Sequence, residues 1–260
     1  MELKKVHLVY FSPTGTTQSV VRAASKFLGM EVLEHDLTDC SCSHVQLKFE
    51  ADDFVVFGFP VYGGRVPQTF RDRMSGVKGR HTPAVLLATY GNREYEDSLL
   101  EMKDIAENNG FLPIGAAAVV TEHSVIRSIA TGRPDAEDMA FLEKFCSELE
   151  KKISTIVPGE ESPKLMVPGK KPYRRYPKLP MTPVVSASCT ACGLCANKCP
   201  VGAISKQNPR KTEKETCIGC MRCVRICPQK ARQLPKLKMA AGRLYLADAA
   251  RNRKEPELFL

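Results

Sequence analysis

The chain has 260 residues, of which 43% are hydrophobic and 26% charged, and its formal net charge is +9. This length and composition are those of a globular protein with one large domain and a smaller one. They exclude a membrane-spanning protein, because no stretch is apolar over the length that a bilayer requires, and residues 1–10 are too short and too polar for a secretion signal. We therefore expect a cytoplasmic protein without a membrane partner.

The first predicted elements are a strand, a hydroxyl-rich loop and a helix. Residues 6–11 are a β-branched and aromatic run, and residues 18–29 have the apolar periodicity of a helix. Between them, Ser and Thr hydroxyls together with the N–H groups of the helix N-terminus can bind a phosphate without a lysine or a metal. An ordinary capped turn explains the pattern about equally well. The candidate phosphate-binding residues are Ser12, Thr14, Gly15, Thr16 and Thr17.

Four further strands are predicted at residues 31–35, 54–59, 84–89 and 116–120, with helices near 68–74, 97–109 and 135–153. Continuous apolar strands that alternate with helices predict a doubly wound α/β fold with a parallel sheet. In a five-stranded sheet of order 2-1-3-4-5, a ligand binds outside the carboxyl ends of the strands, where the loops 12–17, 60–65 and 90–95 lie. Further candidate ligand-binding residues there are Pro60, Val61, Tyr62, Gly63, Gly64, Tyr90, Gly91, Asn92 and Tyr95.

The first loop resembles that of the flavodoxin family, in which Ser/Thr-x-Thr-Gly-x-Thr binds the phosphate of FMN. The matching residues are Ser12, Thr14, Gly15 and Thr17. The resemblance implies a flavodoxin-like, FMN-binding domain over residues 1–157, in which the second and third loops sandwich the isoalloxazine ring. That family commonly uses a Trp and a Tyr for stacking. This chain has no Trp, so by position the candidates are Tyr62 and either Tyr90 or Tyr95.

Three side chains of this region have two interpretations each, and a fourth is expected in the core. Cys40 and Cys42 are either a redox-active or substrate-binding pair or, as we favour, uninvolved, because a one-residue spacer would strain a disulfide. Cys146 has apolar neighbours in the last helix and is expected in the core. His123 follows the fifth strand; it is either a proton donor at the flavin edge or, as we favour, a surface residue.

Residues 158–183 contain seven prolines and little apolar periodicity, which predicts a semi-extended basic linker. Two cysteine runs follow, each with the spacing Cys-x2-Cys-x2-Cys-x3-Cys-Pro. A two-cluster bacterial ferredoxin uses this spacing to hold two 4Fe-4S cubanes, three cysteines of each run binding one cluster and the fourth binding the other. This assigns cluster one to Cys189, Cys192, Cys195 and Cys227, and cluster two to Cys217, Cys220, Cys223 and Cys199. A zinc site or a disulfide framework does not explain the duplicated run.

Taken together, the two patterns resemble the flavodoxin-ferredoxin fusion proteins of anaerobic bacteria and archaea. The resemblance implies a small α+β ferredoxin domain over residues 184–232. A tail over 233–260 follows, in which residues 239–252 have a helical pattern. Because exposed thiolates need a reducing compartment, we expect a cytosolic protein of an organism that grows with little or no oxygen.

Charge is divided unequally along the chain: residues 1–160 carry a net charge of −6 and residues 161–260 a net charge of +15. Basic residues near anionic clusters, among them Arg222 and Arg225, partly neutralise them. We therefore expect an acidic redox protein, such as a ferredoxin, to dock at the cluster domain. We expect no nucleic-acid partner, although residues 170–176 are basic and aromatic.

These observations predict an oxidoreductase that moves electrons between two 4Fe-4S clusters and FMN. One hypothesis is a ferredoxin-dependent flavin reductase that passes an electron pair to a small acceptor. The alternative is an electron carrier that has no substrate of its own, and a redox sensor is a weaker third because no effector domain is visible. The sequence identifies no catalytic residue, and it is compatible with a monomer or a homodimer.

Overall fold

The computed structural model describes residues 5–29, 31–155, 164–177 and 181–260. The strands are β1 (Lys5–Tyr10), β2 (Glu31–Asp36), β3 (Leu47–Phe49), β4 (Phe54–Pro60), β5 (Val77–Gly79), β6 (Thr82–Tyr90), β7 (Phe111–Val120), β8 (Val184–Val185), β9 (Arg232–Gln233) and β10 (Glu257–Phe259). The α-helices are α1 (Thr16–Leu28), α2 (Gln68–Met74), α3 (Ser98–Asn108), α4 (Ala136–Thr155), α5 (Leu194–Asn197), α6 (Arg222–Arg225) and α7 (Lys236–Leu246), and Cys40–His44 form a 3-10 turn. Within these ranges no helix is long and apolar enough to cross a bilayer.

The main sheet has the strand order β10-β7-β6-β4-β1-β2. Its five strands other than β10 are parallel and follow the order 2-1-3-4-5, which confirms the predicted flavodoxin-like, doubly wound fold. The sixth strand, β10, was not predicted; it pairs antiparallel with β7. The chain therefore returns to the first domain after the cysteine-bearing segment, and the tail is a helix followed by a strand.

Apolar side chains explain why the sheet forms and how α1 is placed. β6 is buried along its whole length and β4 along all but its last residue, as expected for central parallel strands. One core lies on each face of the sheet, and α1 buries Val20, Val21 and Ala24 on one of them. A Cβ on Gly58 of β4 would overlap Val21, so glycine permits this close approach. The packing fixes the N-terminus of α1 at the carboxyl ends of the strands.

Residues 181–233 form a small α+β unit. β8 and β9 pair antiparallel, and α5 and α6 are single turns that follow the left-handed residues Gly193 and Met221. The apolar cluster of this unit is small, with Ala196, Ala203 and Ile204 among its buried members. Much of its interior is instead lined by cysteines, so the unit depends on what those cysteines bind.

Residues 164–177 contain no helix or strand, and they are held against the first domain. Asp97 accepts the backbone N–H groups of Lys170 and Arg174 at 2.9 and 2.8 Å. The hydroxyl of Tyr173 donates to Asp104, and Lys171 also pairs with that carboxylate. The basic, aromatic stretch thus contacts acidic residues at α3, which is how the protein uses the pattern that resembles a nucleic-acid surface.

Candidate functional site

The structure gathers the cysteines into two sets of four around two cavities. Cys189, Cys192, Cys195 and Cys227 line the first cavity. Cys199, Cys217, Cys220 and Cys223 line the second. In each set the fourth cysteine comes from the other run, and a proline that follows it, Pro228 or Pro200, lines the same cavity. These are the sets that the sequence predicts for clusters one and two.

Hydrogen bonds to sulfur stabilise the first set. Backbone N–H groups of Ala191 and Ala231 donate to the sulfurs of Cys189 and Cys227 at 3.4 and 3.3 Å, and Arg232 Nε donates to Cys195 Sγ at 3.2 Å. Such bonds favour thiolates, the form that binds iron. Each cavity, ringed by four sulfurs, fits a cubane, whose four irons each need one thiolate. Among the described side chains, none forms a group compact enough to hold a single metal ion.

The thiols of the second set are more deeply buried. Burial raises the pKa of Cys220 to about 12 and that of Cys223 to about 11. As long as no metal is bound, both groups stay protonated at neutral pH. Iron binding at this site must therefore displace protons, and cluster assembly is expected to depend on pH.

The loop at residues 12–17 has the features of a phosphate site. Gly15, with φ 89°, is the N-cap of α1; it has no side chain to cap the helix, and the space beside it is open. Thr14 and Thr16 are half-buried, with their hydroxyl oxygens 3.4 Å apart. Ser12 Oγ accepts the N–H of Gln18 at 2.9 Å, so its own hydrogen can be donated to a ligand. This donor set fits a phosphate group.

Thr17 does not have the role that the flavodoxin pattern implies. It is buried, and its hydroxyl oxygen lies 2.7 Å from that of Thr89. Thr89 donates its single hydrogen to the carbonyl of Phe59 at 3.4 Å, so Thr17 is the donor in the bond to Thr89. Its hydroxyl therefore joins α1 to β6, and only its backbone N–H remains for an anion.

The second loop is a tight turn that follows β4. Tyr62 and Arg65 exchange backbone hydrogen bonds at 3.0 and 3.3 Å, and Gly63 and Gly64 have φ of 59° and 81°. Two positive φ angles in a two-residue turn favour Gly-Gly. A Cβ on Gly63 would overlap Pro177 of the linker. A Cβ on Gly64 would overlap the carboxylate of Glu96 in the first domain and lie 2.9 Å from Arg174 of the linker. Contrary to expectation, this side of the turn is covered by the linker and by Glu96. The preceding residues, Pro60 and Val61, are half-buried at the end of β4.

The third loop corrects the proposed stacking partners. Tyr90 and Tyr95 are both buried, and their rings meet edge to face with centroids 5.4 Å apart. The hydroxyl of Tyr95 donates to Glu257 of β10 at 2.9 Å. Both tyrosines therefore belong to the core, and neither ring has an accessible face for a flavin. Of the three predicted aromatic candidates, Tyr62 is the one that is only partly buried.

Asn92 binds the tail instead of a ligand. Its Nδ2 donates to the carbonyls of Ala250 and Asn252 at 3.0 and 2.9 Å, and its Oδ1 accepts the N–H of Lys254 at 3.1 Å. The residue is buried and has φ 60°, a left-handed conformation that Asn tolerates. Its amide is therefore occupied, which contradicts the predicted cofactor contact.

His123 packs against Gly91, where a Cβ would lie 2.5 to 2.8 Å from its side-chain atoms. Its Nδ1 accepts the N–H groups of Val125 and Ile126 at 3.1 and 3.0 Å, so Nε2 carries the proton. Burial, with a smaller effect of Arg93, lowers the pKa of His123 to about 4. The residue is thus half-buried and neutral, not the surface histidine that we favoured, and it can donate a hydrogen bond beside the third loop.

The remaining cysteines lie in different environments. Cys146 is buried in the core, as predicted. Cys40 is exposed, Cys42 is half-buried, and neither is in a disulfide. Cys42 Sγ donates to the carbonyl of Asp36 at 3.4 Å, while Cys40 lies near Gly202 of the cysteine-bearing unit. The pair therefore stands where the two units meet.

Charged side chains join the two units. Asp39 pairs with Lys198 at 2.9 Å and with Arg222 at 3.0 Å. Arg225 lies 3.7 Å from Glu122. The opposite charges of the two parts of the sequence thus form ion pairs between the two units of the same chain. Arg222 and Arg225, which we expected on an external docking face, are partners of the first domain.

The second cavity lies beside the loop of Tyr62. Ile218, between two cysteines of this set, packs on the core of the first domain. Burial, and then the charge of Cys220, raise the pKa of Tyr62 well above its ordinary value. Cys192, in the first set, is exposed. The second set therefore faces the carboxyl ends of the sheet, and part of the first set reaches the surface.

Sequence reasoning missed Asp39, Glu122 and the buried Arg73, whose guanidinium donates to the carbonyl of Pro200 at 2.6 Å. A signal for Arg73 exists: it follows Phe70 by three residues and precedes Met74, so it stands on the apolar face of α2. No local signal predicts that these two carboxylates contact the second unit, because Asp39 lies more than 100 residues from Lys198 and Arg222, and Glu122 lies more than 100 residues from Arg225.

Comparison with known proteins agrees with the cysteine geometry. Residues 188–232 match the family model of a 4Fe-4S dicluster domain. No curated protein sequence is similar enough to this chain to count as a relative.

Solved structures that resemble the first domain include flavodoxins and an azoreductase. A flavodoxin of Streptococcus pneumoniae TIGR4 is 16% identical with a TM-score of 0.39, over 57% of this chain and 99% of that one. One from the domain Archaea is 10% identical with a TM-score of 0.41, over 58% and 99%. An azoreductase of Bacillus anthracis is 13% identical with a TM-score of 0.38, over 57% and 99%. Such values say nothing about function, and the observed strand order defines the fold.

The chain thus joins a flavodoxin-like α/β domain to a ferredoxin-type 4Fe-4S domain. Iron–sulfur clusters of this type carry electrons, so electron transfer is its function.

Proposed function

We propose that this protein binds two 4Fe-4S clusters and one FMN and transfers electrons between them within one chain. The observation that carries the proposal is the position of the second cysteine set. Ile218 of this set's cavity packs on the core of the first domain, and Arg222 pairs with Asp39, which follows the carboxyl end of β2. A doubly wound sheet binds its ligand at this edge. Both kinds of redox site then lie on the same side of the first domain.

Cluster two is the inner site in this proposal and cluster one the outer site. Ile218, which lines the cavity of cluster two, packs on the core of the first domain, whereas Cys192 of cluster one is exposed. Electrons from an external donor would therefore enter at cluster one. The ion pairs of Asp39 with Lys198 and Arg222 keep the inner site in place.

The residues that would hold FMN are those of the first loop and two neighbours. The phosphate would be bound by Ser12, Thr14, Thr16 and the N-terminus of α1, and the ring would lie near Tyr62 and Gly91. FMN accepts one or two electrons, which connects one-electron carriers to two-electron chemistry. His123 is positioned to donate a hydrogen bond beside Gly91.

The favoured activity is that of a ferredoxin-dependent, flavin reductase-type oxidoreductase that acts on a small acceptor. The alternative is a carrier that passes electrons between redox proteins. An observation that favours the carrier is that the linker covers the turn at Gly63 and Gly64, while Ile218 packs on the same domain, which narrows access to the second loop. Saturable turnover of a small oxidant by the anaerobic protein supports the reductase, and flavin reoxidation by proteins alone supports the carrier.

An external acidic redox protein would dock beside cluster one. A cleft of about 540 Å³ there is lined by Arg210, Lys214 and Lys238 together with Glu215. Arg210 is bonded to the backbone carbonyl of Cys189, a ligand of cluster one, and Pro183 and Thr212 line both the cleft and the second cavity, so the cleft adjoins both cluster sites. On the adjoining helix α7, Leu237 and Leu244 are 83% and 80% exposed. Apolar residues beside basic ones suit a protein whose redox centre is surrounded by carboxylates.

The composition of the anaerobically reconstituted protein tests the proposal. Two cubanes and one flavin predict about eight irons, eight sulfides and one FMN per chain. Iron near four per chain would contradict the second cluster, and retention of no flavin would contradict the FMN site. Freeze-quench spectra after mixing with a one-electron donor should show cluster reduction before flavin reduction. The reverse order would overturn the route from cluster to flavin.

A further inference from the structure

Among the residues that the structure describes, four arginine side chains are buried, and they fall into two pairs. Arg65 donates to both carboxylate oxygens of Glu101 at 2.7 Å, and Arg133 Nε donates to Asp138 at 2.7 Å. Arg73 and Arg232, with 4% and 2% of their surfaces exposed, form no ion pair with a carboxylate among the described residues. A guanidinium stays charged when buried, so it needs a negative charge nearby.

Arg232 lies at the first cavity. Its Nε donates to Cys195 Sγ at 3.2 Å, and its other nitrogens donate to Thr212 Oγ1 at 2.9 Å and to the carbonyl of Pro209 at 2.5 Å. It is also one of the residues that line this cavity. Neutral acceptors orient the guanidinium, and they do not balance its charge.

Arg73 belongs to the first domain, and it is bonded to a residue in the wall of the second cavity. It donates to the carbonyl of Pro200 at 2.6 Å and to that of Leu37, and its guanidinium carbon is 5.7 Å from the ring centroid of Phe11. Pro200 lines the second cavity and follows the ligand Cys199.

The negative groups around Arg73 do not neutralise it. Burial lowers the pKa of Arg73, and the nearby carboxylates of Asp39 and Asp36 oppose that effect without cancelling it. Asp39 is already paired with Lys198 and Arg222. A buried cation at each cysteine cavity therefore lacks a carboxylate partner.

We propose that the two clusters are the missing negative charges, Arg232 being the counter-charge of cluster one and Arg73 that of cluster two. The inference rests on the proposed function, since it requires both cubanes. A cubane with four thiolates is anionic, and reduction adds one further negative charge. A buried cation stabilises the reduced form more than the oxidised form and so raises the reduction potential. The first domain thus supplies the residue that adjusts the potential of a cluster in the other domain.

The arrangement links domain contact to oxidation state. If Arg73 stabilises reduced cluster two, then reduction must strengthen the contact between the domains by the same free energy. The inner cluster is therefore held most firmly against the first domain when it has an electron to pass on.

The test is a redox titration of the full, iron-loaded chain, followed by electron paramagnetic resonance. Arg73→Gln should lower one cluster potential so that the ratio of reduced to oxidised cluster falls at least tenfold, which is about 59 mV for one electron. Arg232→Gln should lower the other potential by a similar amount. Arg80→Gln, at an exposed arginine of the first domain, removes the same charge and should shift neither.

Unchanged potentials in Arg73→Gln at full iron content would overturn the proposal, and so would a shift of the same cluster in both variants. If Arg73→Gln loses iron, the variant Arg73→Lys is measured instead. It keeps the positive charge, so it should retain the cluster and a potential near that of the natural protein. A tenfold fall in its ratio of reduced to oxidised cluster would overturn the proposal. Failure of the proposed function can be told apart from failure of this inference, because in the former case the natural protein itself would hold fewer than eight irons.

Discussion

Single hydroxyls and ring nitrogens decide which residues of the candidate site can reach a ligand. Thr14 and Thr17 belong to the same sequence pattern. The hydroxyl of Thr17 donates its hydrogen bond to Thr89, whereas Thr14 is half-buried beside Thr16. His123 is likewise fixed in its tautomer by two backbone N–H groups. Burial and hydrogen-bond direction therefore separate ligand donors from core residues of the same type.

Thr14→Val should weaken FMN binding about 10- to 100-fold, because a hydrogen bond to a charged group contributes roughly 1.5–3 kcal/mol. The measurement is quenching of flavin fluorescence when FMN is added to the flavin-free protein. Thr155→Val, at an exposed position at the end of α4, is the matched control and should bind FMN as the natural protein does. Equal affinity of the two variants would place the phosphate elsewhere.

His123 should make stability depend on pH. Its pKa of about 4 lies below the ordinary value of 6.5, so the unfolded chain binds the proton first. This contribution to stability is complete above pH 6.5 and is lost as pH falls toward 4. Between pH 7 and pH 5, the free energy of unfolding should therefore fall by about 1–3 kcal/mol less in His123→Gln than in the natural protein. Urea unfolding at the two pH values measures this, and equal losses would contradict it.

Among the elements, the tail and the third loop depend on each other most. The tail passes the loop at Asn92, continues through Lys254 and adds β10 to the edge of β7. The third loop is thus held from outside by residues more than 150 positions away. The third loop, which resembles a cofactor-binding loop in sequence, therefore also attaches the tail to the first domain.

Asn92→Ala should destabilise the protein by about 2–4 kcal/mol, because three hydrogen bonds are lost and alanine disfavours the left-handed conformation. Asn92→Gly relieves the backbone but not the hydrogen bonds, so its loss should be smaller by roughly 1–2 kcal/mol. Urea unfolding separates the two effects, and hydrogen exchange of β10 should rise in both variants. Natural stability in Asn92→Ala would show that the tail does not hold the loop.

Local patterns in the sequence predicted the parallel strands and the cysteine sets. The features that the sequence did not predict depend on contacts between residues far apart in the chain. The spacing within each cysteine run is enough to assign a ligand set, because the loop that wraps a cubane is short. Tyr90 and Tyr95 occupy the expected loop, but only the position of Glu257 shows that they are core residues. β10 has three residues, too few for a strand period to be visible.

In the whole molecule, an acidic domain and a basic one face each other across the redox sites. Asp39 and Glu122 contact Lys198, Arg222 and Arg225, so part of the basic charge of the second domain is balanced within the molecule. Other basic residues of the second domain, among them Arg210 and Lys214, line the cleft that adjoins the cluster sites. The basic charge of this domain is thus divided between the contact with the first domain and the cleft.

Asp39→Lys should loosen the contact between the domains and slow flavin reduction through the clusters at least several-fold. A second change, Lys198→Asp, restores an opposite pair and should recover part of the rate. Glu31→Lys changes the same charge at a distant exposed pair with Lys5 and serves as the control. Stopped-flow absorbance gives the rates, and identical rates in Asp39→Lys and the natural protein would refute the role of this contact.

Lys214→Glu should slow reduction by an acidic ferredoxin at low salt and reduce its dependence on ionic strength. Screening shortens from about 10 Å at 0.1 M to about 3 Å at 1 M, so the natural protein and the variant should converge at high salt. Lys26→Glu, on an exposed face of α1, should behave as the natural protein. A small neutral reductant should not distinguish any of the three proteins. If the rate of reduction by ferredoxin depends neither on salt nor on the substitution of Lys214, the partner docks elsewhere.

The pairing of β10 with β7 has a consequence for biosynthesis. About 135 residues separate the two strands in the chain. At roughly 5–20 residues per second, a ribosome delivers β10 some 7 to 30 s after β7. Until then the edge of β7 is unpaired and open to other chains in the crowded cell. All eight cluster cysteines are synthesised during this interval, so metal loading and closure of the sheet fall within the same short period of the protein's life.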